Sequence, residues 1–64
     1  MTLKKTLQQR EKELQSLLST PAGRKELQGL DRRYQAAGGR MRPANTSVIT
    51  YILVYEREHG LIVG

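Results

Sequence analysis

The run Val48-Ile49-Thr50-Tyr51-Ile52-Leu53-Val54-Tyr55, apolar but for Thr50, has to be taken out of water by whatever fold this chain adopts. Little else is on hand to cover it. A chain of 64 residues buries only about 60% of the surface it exposes when unfolded, so a single domain over 1–64 is the ceiling. Cysteine is absent, which removes disulfide staples and thiolate metal sites. Stability must then come from apolar packing, with association as the expected supplement.

The preceding sequence supplies helices. Thr2 to Ser19 lacks Gly and Pro, is rich in Leu, Gln, Glu and Lys, and has Thr2 as an N-cap, which predicts a helix over 2–19. Leu3, Leu7, Leu14, Leu17 and Leu18 fall within an arc roughly 100° wide, a single apolar stripe. Thr20-Pro21 reads as a cap followed by proline at the first helical position. Leu27, Leu30, Tyr34 and Ala37 then recur at three- and four-residue spacing as far as Gly38-Gly39, predicting a second helix over 21–37. The short corner at Ser19-Thr20 makes the pair a helical hairpin. Gly23 and Gly29 each weaken the second helix by about 1 kcal/mol relative to alanine. Residues 38–46, with glycines, Pro43 and Asn45, form a loop.

The β-branched and aromatic residues of 48–55 favour a strand, but their context favours a helix. Thr46 or Ser47 can cap it, and Gly60-Leu61 resembles a glycine C-cap, predicting a third helix over 47–59. The expected fold is all-α: three helices, the third strongly apolar. The alternative is two helices plus a short C-terminal β-hairpin with Leu61-Ile62-Val63, and an isolated two-stranded hairpin is marginal. A helix apolar nearly all round exceeds what two leucine stripes can cover, so the chain is expected to homodimerise through Ile49, Ile52, Leu53, Val54, Leu61 and Val63.

Gln8-Gln9-Arg10-Glu11-Lys12-Glu13 stands where the apolar region of a signal peptide would be, and no stretch approaches the roughly 20 apolar residues that cross a bilayer. A cytoplasmic protein without a membrane partner is expected. The net charge of +5 is uneven: residues 1–46 carry ten Lys and Arg against four acids, residues 47–64 one against two. Such a balance points to an anionic partner, nucleic acid or an acidic protein. Arg24, Lys25, Arg32, Arg33, Arg40 and Arg42 are the candidate phosphate contacts, since the planar guanidinium suits bidentate phosphate binding. The competing reading is a solvated face that keeps an apolar helix in solution.

Catalytic chemistry finds few parts, and neither a catalytic residue nor a cofactor is expected. There is one histidine, and Ser47 reads as a helix cap rather than a nucleophile. Glu11/Glu13 and Glu56/Glu58 are two apart, do not face each other on helices, and read as solvated charges. Glu56-x-x-His59 has a metal-binding spacing, but the carboxylate-bridged bundles that use it need further acids. The tyrosines Tyr34, Tyr51 and Tyr55 are placed on core faces with their hydroxyls at the edge. Arg10 falls on the stripe of Leu3, Leu7 and Leu14. Either its stem crosses apolar neighbours while the guanidinium reaches water, or it pairs with an acid from another helix or subunit.

Overall fold

A computed structural model describes residues 4–38 and 41–64, so the expected roles of Thr2, Leu3 and Arg40 lie outside the described residues. Three helices appear, α1 (Leu7–Leu17), α2 (Pro21–Gly38) and α3 (Val48–Glu58), and each packs against the other two. The fold is all-α. None of the described helices is long and apolar enough to cross a membrane.

The first helix starts later than the expected 2–19, because Thr6 rather than Thr2 caps it. The Thr6 hydroxyl accepts from the Gln9 N–H at 3.2 Å and the Gln9 side chain accepts from the Thr6 N–H at 3.0 Å, a complete capping box. Thr6 itself is extended and meets the C-terminal tail in a parallel bridge with Val63. Leu7 N–H donates to the Val63 carbonyl at 2.7 Å, and Val63 N–H to that of Lys5 at 3.0 Å. The tail therefore pairs with the N-terminal segment and not with 48–55, which disposes of the β-hairpin alternative.

The other boundaries follow local chemistry. Thr20 Oγ1 accepts the Gly23 N–H at 3.0 Å, Pro21 opens α2, and Ser47 Oγ accepts the Thr50 N–H at 3.1 Å to open α3. Gly60, at φ 70°, ends α3: its N–H donates to the Arg57 carbonyl and that of Leu61 to the Glu56 carbonyl, the paired bonds of a Schellman cap.

Leu14, Leu27, Ile52, Leu53 and Ile62 are the buried core, flanked by Leu7, Leu17, Leu30, Tyr34, Val48 and Ile49. All three helices and the tail contribute. Leu18 and Ala37, placed on apolar stripes by periodicity, are exposed instead, since Leu18 already lies past the end of α1. The two glycines inside α2 differ. A Cβ on Gly29 would meet nothing within 4 Å, whereas one on Gly23 would lie 2.1 Å from the Leu17 carbonyl oxygen. Gly23 is thus what lets the first turn of α2 sit against the end of α1.

Candidate functional site

Glu56 is the one buried charged residue among those described, at 3% exposure. The expectation of a solvated carboxylate fails because the buried face of α3 runs through Ile52, Leu53 and Glu56. Arg10 on α1 answers it with two hydrogen bonds, Nε to Oε1 at 2.8 Å and Nη2 to Oε2 at 2.9 Å. Tyr34 on α2 donates its hydroxyl to Oε2 at 2.7 Å. One carboxylate therefore ties all three helices, and of the two readings of Arg10 the structure has the pairing with an acid from another helix. A third hydrogen bond takes Arg10 Nη1 to Glu13 at 2.9 Å, and Lys5 also pairs with Glu13.

The charges respond. Hydrogen bonding to Glu56 raises the Arg10 pKa against the opposing effect of its own partial burial. Lys5 first and Arg10 second hold the Glu13 carboxyl below the ordinary carboxylate range. Burial, then the bond to Glu56, pushes the Tyr34 hydroxyl up to about 12. Because Tyr34 is raised above its unfolded value of 10.0, its contribution to stability is whole below that pH and is lost as pH rises through about 12. Alkaline melts should accordingly show a stability loss between these values that Tyr34→Phe reduces. Equal alkaline sensitivity in the variant would refute the assignment.

Both Glu56 oxygens are thus engaged, and the His59 Nδ1 faces the Tyr55 carbonyl at 2.9 Å. Among the described residues no group of three His, Cys, Asp or Glu side chains is gathered for a metal ion. Ser47 is spent as the α3 cap.

The basic residues divide. Arg42 lies 3.5 Å from Asp31 and donates to the Thr46 carbonyl. The Arg42–Asp31 contact is coulombic only, since Nε and Oδ1 are buried without an aligned hydrogen bond. Arg24, Lys25, Arg32 and Arg33 are exposed on α2, and among the described residues no carboxylate pairs with them. Arg24 does donate to the Leu18 carbonyl at 3.1 Å, closing the end of α1. The ion pairs consume Glu13, Asp31 and Glu56, half of the six acids in the chain. Glu56 and Asp31 turn inward and Glu13 pairs at the surface, so Glu26 is the one exposed acid on α2 beside these four cations.

The residues proposed for dimerisation also divide. Ile52 and Leu53 belong to the core of the single chain and cannot face a second copy without unfolding, while Ile49 is half-buried beside them. Val54, Leu61 and Val63 remain about half exposed.

An open groove with a volume of about 420 Å³ runs between α3 and the chain following α2, lined in part by Met41, Pro43, Tyr51, Tyr55, Glu58 and His59. Behind it three rings stack. Tyr34 and Tyr55 lie 4.1 Å apart between centroids and 8° from parallel, and Tyr55 and His59 lie 3.9 Å apart at 16°. Sequence reading placed Tyr34 correctly at the core edge but missed this stack and the groove. The one local signal was Tyr55 and His59 at i, i+4. No protein-family model, curated protein or solved structure matches this chain.

Proposed function

We propose that this chain is a non-enzymatic helical module of one domain, α1 and α2 forming its hairpin, that binds nucleic acid through the outer face of α2. The observation that carries the reading is the set Arg24, Lys25, Arg32 and Arg33, exposed on α2 without a carboxylate partner and with Glu26 as the one exposed acid on that helix. Binding through phosphates releases counterions, so affinity should fall with salt at a slope of about −0.9 per contact. Four contacts then imply a loss of about a hundredfold between roughly 50 and 200 mM salt. Titration of duplex DNA and RNA across a salt series measures this. Replacing the four cations with glutamine should flatten the slope while leaving the helical circular dichroism unchanged. Absence of binding at low salt ends the reading.

A second reading is self-association, favoured by the half-exposed Val54, Leu61 and Val63. With Ile52, Leu53 and Ile62 already enclosed, these side chains fall short of the ~800 Å² per partner of a standard interface. The expected dimer is therefore weak and concentration-dependent. Light scattering should show a mass rising above 7.3 kDa as concentration increases, and a constant monomer mass would rule it out. A cytoplasmic setting suits a chain without cysteine.

A further inference from the structure

Resting on the nucleic-acid reading, we infer that the groove beside His59 seats one unpaired nucleobase bearing an exocyclic amine. The His59 imidazole stacks on Tyr55 with one face and is held in plane by its Nδ1, which must donate to the Tyr55 carbonyl because that oxygen only accepts. Two constraints therefore fix an exposed ring before any ligand arrives, which lowers the cost of stacking a further ring on it. Tyr55 is covered on both faces by Tyr34 and His59, and Tyr34 is packed against the core, so the stack grows at the histidine end.

Polar groups of the groove select the kind of ring. With Nδ1 donating, the neutral imidazole leaves Nε2 as an acceptor, and Glu58 adds an exposed carboxylate. Both accept, which suits the exocyclic amino groups of cytosine, adenine or guanine, whereas unpaired thymine offers only its N3–H, set between two carbonyl oxygens that such acceptors repel. The carboxylate also repels phosphate, so the backbone of the strand must run outside the groove. It has a place to go. Gly38, the last residue of α2, lies 3.4 Å from the Tyr55 ring as measured from its would-be Cβ, and Arg33 is five residues back along that helix. At 1.5 Å per residue the cation row begins about 7.5 Å from the groove along the helix axis. Met41, 86% exposed at the rim, would be covered by the base.

The test uses the full chain with oligo(dC), oligo(dT) and a mixed-sequence duplex, followed by fluorescence anisotropy. Oligo(dC) should bind more tightly than oligo(dT). His59→Ala should weaken oligo(dC) binding by roughly 5- to 150-fold, the range for losing one stacked base, with duplex affinity unchanged. His59→Phe, which keeps a flat ring but no acceptor, should restore most of that loss, and either His59→Phe or Glu58→Ala should narrow the preference of dC over dT. If duplex binding persists but His59→Ala leaves single-strand affinity unmoved, or dC and dT bind alike, the base seat is wrong and the α2 reading survives. No binding to any of the three probes overturns both. A change of molecular mass alone in His59→Ala would assign the groove to a second copy and overturn the base seat.

Discussion

Glu56→Gln should destabilise the fold by about 3 kcal/mol, read as a lower midpoint in urea and a lower melting temperature by circular dichroism. The variant keeps the shape and the acceptor oxygen but removes the charge that answers Arg10. Removing one partner of a buried pair typically costs 3–5 kcal/mol, and the lower end applies here because Arg10 retains Glu13 and its side chain is 22% exposed. For a core this small, which rarely supplies more than ~3–5 kcal/mol, such a loss leaves much of the population unfolded at ambient temperature.

The companion substitutions separate charge from packing. Arg10→Leu removes an interruption of the leucine seam, yet should also destabilise, since it strands a buried carboxylate with only the Tyr34 hydroxyl as partner. Arg10→Met combined with Glu56→Leu should recover most of either loss, because an apolar pair of similar volume in place of a buried ion pair is often neutral or better. If Glu56→Gln melts with wild type, the carboxylate does not hold the three helices together and the account of the core fails.

Helix positions were legible because their stop and start signals are local. Pro21 after Thr20, Ser47 before the apolar run and Gly60 after it each act within a few residues of themselves. The start of α1 was misread because Thr2 and Thr6 are both eligible caps, and only Thr6 has Gln9 at the position that closes a capping box. Its second support, the pairing of Lys5 and Leu7 with Val63, joins opposite ends of the chain and leaves no local trace. Arg10 did stand out in the seam, but its partner lies 46 residues away.

The core face expected at Tyr51 and Tyr55 is not the face that α3 buries. Treating Tyr51 and Tyr55 as core residues drew the apolar stripe toward them, when the buried residues are Ile52, Leu53 and Glu56. That misreading hid the carboxylate in the middle of the core face and the place of the tyrosines at the groove. It also inflated the apolar surface left for a second copy, since Ile52 and Leu53, both assigned to the dimer contact, are buried within the single chain. The cation set on α2 was legible by contrast, because exposure of lysine and arginine is the default and needs no partner to be known.

Gly23→Ala should cost about 2–3 kcal/mol even though alanine is the better helix former. Its Cβ would stand 2.1 Å from the Leu17 carbonyl oxygen and 2.7 Å from Leu17 Cα, both backbone atoms that a side-chain rotation cannot move. Relief requires shifting α2 away from the end of α1, which loosens the packing of Leu27 into the core and strains the Thr20 cap that Gly23 completes. Gly29→Ala is the internal control, with the same chemistry in the same helix and open space around the added methyl. It should stabilise by about 1 kcal/mol, raising the melting temperature by roughly 4–8 °C. The two substitutions share the propensity gain, so their difference isolates the close approach of the helices. Equal melting temperatures for the two variants would mean that α1 and α2 do not meet at Gly23, and the tight corner that aims the outer face of α2 at solvent would have to be redrawn.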